Sequence, residues 1–208
     1  MVTRFTLLKE LAVLVPDDVL VLTSIGNNSG FWGQLKDREA NLFHLTMGMC
    51  SSTALGLSLA LPKRKIVALD SDGNLILNLG VLGTIANEAP KNLTIVVMDN
   101  QNYLGSNKLA PGMPTATAGK MNLEAVAKAC GIDSACTVEA AAVFREKIQA
   151  ALASAGPHFI RARIDALDTD APKKSKRVPD PRENKYQFAS YVQKTEGVEI
   201  LGSGLGGG

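Results

Sequence analysis

The chain has 208 residues, 46% hydrophobic and 20% charged, enough for one globular domain with a sizeable core, or one domain and a tail. Its net charge of +2 and its 5% aromatic content argue against a nucleic-acid binder and a base-stacking platform. No apolar run reaches the roughly 18 residues of a membrane-spanning helix, residues 1–18 lack the small-residue cleavage site of a signal peptide, and three scattered cysteines (Cys50, Cys130, Cys136) suit reduced thiols in a cytoplasmic protein.

Residues 4–15 place Phe5, Leu8, Leu11, Ala12 and Val15 at helical spacing, and Pro16, Asp17 and Asp18 break the pattern. A short buried strand is expected over 19–22, followed by a loop of turn formers over 23–30 and a helical turn over 31–36. A strand over 42–45 precedes a helix of small residues over 51–61. Next come a strand over 66–69 and a helix over 75–88, with Leu75, Leu79, Leu82 and Ala86 on one face. The run LTIVVM over 93–98 is apolar on both faces, as in the middle of a parallel sheet. A helix over 122–130 stops at Gly131, a short strand spans 135–138, and a helix over 139–154 ends at Gly156-Pro157. A last strand covers 158–164, with Arg161 and Arg163 pointing outward.

Strands alternating with helices predict an α/β fold: a parallel sheet between two helical layers, with ligands at the carboxyl ends of the strands. The domain is expected to run over 1–168. Residues 169–208 then form a basic, proline-rich connector, a short helix carrying Tyr186, Phe188, Tyr191 and Val192, and a flexible glycine-rich end. That helix is too short to persist alone and is expected to dock on this domain or on another subunit.

Two strand-end segments carry the chemistry. Asp70-Ser71-Asp72-Gly73-Asn74 puts a carboxylate at the mouth of the sheet, with Gly73 and Asn74 opening a helix whose N–H groups favour an anion. A carboxylate beside an anion site makes sense when Mg²⁺ bridges them. Asp99-Asn100-Gln101-Asn102-Tyr103 lies one helix and one strand further on, so Asn100 is expected beside Asp72 on the same edge. Its amide oxygen, and the Asn102 backbone carbonyl, are hard neutral ligands. The long segment over 105–120, with Lys108 and Lys120, reads as a lid over the site.

DSDGN, a helix, LTIVVM and DNQNY together resemble the GDG…NN signature of thiamine diphosphate enzymes. Ser71 stands where that signature has its first Gly and Asp99 where it has its first Asn, while Asp72, Gly73 and Asn100 are retained. His44-Leu45-Thr46-Met47-Gly48 and the small-residue helix after it are similar to the family's pyrimidine-contacting segment. Gly26-Asn27 is similar to its early diphosphate-contacting loop. The likeness runs over 19–164 and is greatest to the small, pyrophosphate-binding subunit of two-chain 2-oxoacid decarboxylases such as sulfopyruvate decarboxylase. Single-chain phosphonopyruvate decarboxylases are similar.

This resemblance implies thiamine diphosphate and Mg²⁺ as cofactors, with Asp72, Asn100 and Asn102 on the metal. Gly26, Asn27, Leu45, Thr46, Met47, Gly73 and Asn74 would contact the cofactor, with Met47 as the apolar prop that bends it. The acid that activates the cofactor in this family is a glutamate of a pyrimidine-binding domain. The chain is long enough for one such domain, and neither Glu39 in its charged KDRE turn nor Glu10 suits the role. A pyrimidine-binding partner subunit is therefore implied, in a hetero-oligomer such as a heterotetramer, inactive as separate chains, acting on a small 2-oxoacid. His44 is a candidate acid/base or anion contact, and His158 reads as structural. A carboligase, a 2-oxoacid oxidoreductase subunit, and a non-catalytic nucleotide- or phosphate-binding module remain alternatives at this level.

Overall fold

The computed structural model describes residues 1–103, 112–172, 180–200 and 202. Six strands, β1 (Leu20–Ser24), β2 (Asn41–Leu45), β3 (Ile66–Ser71), β4 (Leu93–Asp99), β5 (Ala135–Val138) and β6 (His158–Arg163), form one sheet in the order β2-β1-β3-β4-β6-β5. Every pairing is parallel. The central strands β3 and β4 are buried along almost their whole length, as their unbroken apolar runs require.

Among the described residues, eight α-helices cover the two faces: α1 (Arg4–Leu14), α2 (Asn27–Leu35), α3 (Cys50–Ala60), α4 (Asp72–Ile76), α5 (Val81–Glu88), α6 (Leu123–Ala129), α7 (Ala141–Ala153) and α8 (Pro181–Glu196). On one face α1, α2 and α7 pack Leu7, Leu11, Trp32 and Phe144 against Val67, Val96 and Ile160. On the other, α3, α5, α6 and α8 pack Ala54, Leu82, Leu123 and Phe188 against Leu22, Ile95 and Phe159. The α/β architecture expected from the alternating pattern is present as a three-layer sandwich.

Three local readings need correction. The expected helix over 75–88 is two helices, because residues 77–80 tighten into i→i+3 bonds such as Asn78 N–H to the Leu75 carbonyl and Val81 N–H to the Asn78 carbonyl. Asn78 turns its amide outward to the Gly48 carbonyl at 2.9 Å, and Gly80 favours a helix least, so the joint falls there. The turn formers over 27–30 are not a loop. Gly26, at φ +98°, swings the chain from β1 straight into α2. Arg161 does not face water. It lies beside Val97 in the parallel register, on the same face as Asp99, and its buried guanidinium meets that carboxylate.

The segment containing Tyr186 and Phe188 is a helix of 16 residues started by Asp180, whose carboxylate accepts from Arg182 N–H. It covers the exposed edge of β2. The Asn184 side chain accepts from Phe43 N–H at 2.8 Å and donates to the Asn41 carbonyl at 3.0 Å, so one amide substitutes for a neighbouring strand. Phe188 and Val192 bury against the core behind it. Phe188→Ala is expected to lower stability by about 3 kcal/mol in urea unfolding of the full chain, because a buried ring is lost and the helix has few other anchors.

Candidate functional site

The strand order creates the site. β1 passes the chain to α2 on one face and β3 passes it to α4 and α5 on the other, so the loops leaving these neighbouring strands diverge and leave a crevice. A cavity of 140 Å³ opens at the carboxyl ends. It is lined by Ile25, Gly26 and Asn27 after β1, Ser71 of β3, Asn100, Asn102 and Tyr103 after β4, and Arg4 of α1.

Asp72 begins α4 directly after β3 and is buried. Its Oδ2 accepts from the hydroxyls of Thr115 at 2.7 Å and Thr117 at 3.3 Å. Its Oδ1 lies 3.2 Å from the side-chain oxygen of Asn100, which in turn lies 2.9 Å from the Asn102 carbonyl oxygen. Asn102 N–H approaches the same Asn100 oxygen at 3.4 Å. Turning the Asn100 amide over would let its NH₂ donate to both neighbours. With its oxygen turned to this side instead, the amide could join Asp72 Oδ1 and the Asn102 carbonyl around one hard cation. Adjacent oxygens of an octahedral Mg²⁺ shell stand about 3 Å apart, and one carboxylate with neutral oxygens is the donor class that ion takes. The residues present therefore fit Mg²⁺.

Behind the trio lies a second carboxylate. Asp99 is fully buried and takes both Arg161 Nε at 2.7 Å and Nη2 at 2.6 Å on Oδ2. Its Oδ1 accepts from Thr117 Oγ1 at 2.7 Å and Gln101 N–H at 3.1 Å. The acidic residue that replaces the expected amide at this position is thus neutralised by its own arginine. Burial pushes the Asp72 carboxyl up to about 6, and the Asp99 charge adds to this, while the Thr115 hydroxyl and Arg4 oppose it.

The other expected residues fall into three groups. Gly26 and Asn27 line the cavity at the start of α2, a helix with no side-chain cap, so its first N–H groups face the crevice end. Gly73 and Asn74 are buried in α4 instead. A Cβ on Gly73 would meet the Tyr103 ring at 2.7 Å, and the Asn74 side-chain oxygen has no hydrogen-bond partner among the described residues. Leu45, Thr46 and Met47 leave β2 on the same edge. Asn78 ties this turn to the α4–α5 joint, and Met47 stays exposed. His44 adopts φ +58°, an unusual backbone for a non-glycine residue. Its N–H donates to Ser29 Oγ, and burial pushes its imidazole pKa down.

Glu39 precedes the amino end of β2, at the opposite edge of the sheet, and Glu10 pairs with Arg145. Neither reaches the crevice. His158 sits at the amino end of β6 between Ser134 and Ser154. Of the expected lid, residues 105–111 with Lys108 lie outside the described residues; Thr115 and Thr117 belong to its described part, and Lys120 is exposed. Composition alone gave no reason to single out Thr115, Thr117, Arg161 or Arg4. All four are brought in by tertiary packing.

A wholly parallel sheet between two helical layers, with a polar crevice at the carboxyl ends of its strands, defines a three-layer α/β ligand-binding domain. The family model described as "Thiamine pyrophosphate enzyme, C-terminal TPP binding domain" matches residues 9–162, and the chain belongs to that family. It is 36% identical to the sulfopyruvate decarboxylase subunit beta of Methanocaldococcus jannaschii, over 72% of this chain and 77% of that one. The corresponding subunit of Methanococcus maripaludis is 32% identical over 92% of this chain and 98% of its own. The phosphonopyruvate decarboxylase of Streptomyces viridochromogenes is 30% identical over 85% of this chain, which spans 43% of that longer protein. The solved benzoylformate decarboxylase of Polynucleobacter necessarius superposes with a TM-score of 0.66 at 17% identity, over 84% of this chain and 34% of its own, a likeness of fold.

Asp70, behind the site, gives a pH test of the metal-free chain. Burial pushes its carboxyl from the ordinary 3.8 to about 6, although Ser51 Oγ and Ser71 N–H both donate to it. The folded state therefore holds a proton that the unfolded chain releases. Stability is expected to rise as pH falls through about 6 towards about 4. Urea unfolding at several pH values should show this slope, and Asp70→Asn should reduce it.

Proposed function

We propose that this chain is the diphosphate-binding subunit of a thiamine diphosphate- and Mg²⁺-dependent 2-oxoacid decarboxylase, a lyase that works only with a pyrimidine-binding partner subunit. The observation that carries this reading is the meeting of Asp72, Asn100 and Asn102 where β3 and β4 end, with Asn100 and Asn102 also lining the crevice. Asp72 Oδ1, Asn100 Oδ1 and the Asn102 carbonyl would hold the metal. Gly26 and Asn27 would bind the diphosphate from the α2 side, and the backbone at Gly73 and Asn74 from the α4 side. Leu45, Thr46 and Met47 would meet the pyrimidine, with Met47 as the apolar support of the bent cofactor.

Thiamine diphosphate, when bound, supplies the nucleophilic carbon and the electron sink that a 2-oxoacid needs to lose carbon dioxide. This chain's share is to bind and orient. Thr115 and Thr117 fix the Asp72 carboxylate, so that the metal ligand is preorganised. His44, at the carboxyl end of β2, is the candidate for proton work on this side. The activating glutamate is assigned to the partner. Two features support a partner at this edge: exposed Ile25, Met47, Met49 and Tyr103 follow the carboxyl ends of β1, β2 and β4, and the named relatives are subunits. The relatives' names point to 2-oxoacids with a second anionic group, a sulfonate or a phosphonate. Three free cysteines fit a reducing compartment, the cytoplasm. No helix among the described residues is long and apolar enough to cross a membrane.

Two experiments test the proposal. Mg²⁺ with thiamine diphosphate at about 100 times its dissociation constant should stabilise the assembled complex by roughly 2.7 kcal/mol, read as a thermal shift. Asp72→Asn should abolish most of that shift, while an absent shift in the unaltered protein would favour a non-catalytic phosphate-binding module. Separately, this chain alone should release no carbon dioxide from 2-oxoacids and should gain activity when mixed with its partner. Turnover by the lone chain would overturn the two-subunit assignment.

A further inference from the structure

The two ends of the domain meet over the crevice, outside the segment that matches the family. Arg4 opens α1, before residue 9, and Asp168 follows β6, after residue 162. They are held together by a clasp. Asp165 N–H donates to the Val2 carbonyl, and Thr6 Oγ1 donates to Asp170 at 2.7 Å. Within the clasp, Arg4 and Asp168 are both buried, with side-chain exposures of 5% and 2%.

Their pairing is incomplete. Arg4 Nε stands 3.6 Å from Asp168 Oδ2, too far for a hydrogen bond. Neither Arg4 Nε nor Asp168 Oδ1 has a hydrogen-bond partner among the described residues. Arg4 is otherwise anchored by Nη1, which donates to Asn28 Oδ1 at 2.8 Å, and Asn28 donates in turn to the Asp70 carbonyl at 2.8 Å. The guanidinium is therefore fixed in place, Arg4 lines the 140 Å³ cavity with Asn27, Ser71 and Asn100, and its Nε–H makes no hydrogen bond among the described residues. Asp168 meanwhile engages a second donor of the same cavity, accepting from Asn27 Nδ2 at 3.0 Å. A carboxylate thus sits against the two side-chain donors, Arg4 and Asn27, that an incoming anion would use.

We propose that Arg4 is a diphosphate-binding residue of this site and that Asp168 is its displaceable counter-ion, holding Arg4 and Asn27 until the anion replaces it. This rests on the diphosphate reading above and deepens it. The metal offsets only part of the charge of a diphosphate beside Asp72, and a fixed guanidinium at the other side of the cavity supplies the rest. A buried carboxylate in the same place disfavours any second anion by like-charge repulsion.

Calorimetric titration of the full chain with magnesium pyrophosphate, at fixed ionic strength, tests this without any turnover. Arg4→Gln should weaken binding roughly 10- to 100-fold, the loss of one charge-assisted contact. Asp168→Asn should tighten it roughly three- to tenfold. Opposite signs are the signature, since a merely structural clasp predicts that both variants weaken binding together or leave it unchanged, and either result overturns the proposal. Should Arg4→Gln fail to fold, Asp168→Asn alone decides: tighter binding supports the displaceable counter-ion, and unchanged or weaker binding overturns it. Asp72→Asn separates the two levels. If it abolishes binding while the Arg4 and Asp168 variants match the unaltered chain, the metal site stands and this inference fails. If the unaltered chain binds no pyrophosphate, both fail.

Discussion

Three oxygens from two loops, belonging to Asp72, Asn100 and Asn102, are forced together where β3 and β4 end. Their closeness, met either by a cation drawn between them or by the Asn100 amide turned to donate to both neighbours, is the constraint around which the carboxyl edge is organised. The two strands pair in register up to Ser71 and Met98, so the residues just beyond have no freedom to separate. A chain that places a carboxylate, an amide and a carbonyl in such contact spends stability unless a cation or a reoriented amide relieves it. Sites of this kind are expected where binding, rather than folding, sets the geometry.

The arrangement is supported from behind by a continuous polar chain. Arg161 holds Asp99, Asp99 accepts from Thr117, Thr115 donates to Asp72, and the two threonine hydroxyls lie 2.8 Å apart between the carboxylates. Two buried carboxylates are thereby kept apart by hydroxyls and balanced by one guanidinium. Replacing the family's amide by Asp99 would strand a charge in the core without Arg161, a loss of several kcal/mol. The departure from the family signature and the buried arginine on the next strand but one in sequence are two halves of one solution.

Much of this was legible in the sequence. The alternating apolar runs identified the parallel sheet, LTIVVM its centre, and the 28-residue separation of Asp72 and Asn100 put them on neighbouring strands. What escaped was of two kinds. Local polar chemistry was misread where a side chain bonded across the fold: Asn28 and Ser29 looked like turn formers but are buried helix residues that tie β1, β2 and β3 together. Asn78 likewise broke a helix whose apolar spacing was continuous. Contacts between distant segments were invisible for a different reason. Nothing in the spacing of Arg4 and Asp168, or of Asp99 and Arg161, announces that they meet, since pattern rules carry information over a few turns and no further.

The amide of Asn184 has a consequence for how copies or partners can add to this molecule. By occupying the hydrogen-bonding groups of Phe43 and Asn41 it seals one lateral margin of the sheet. Growth of the sheet by sideways addition of a foreign strand is blocked there. A foreign strand could join the sheet at that flank only after prising away the helix that carries this amide.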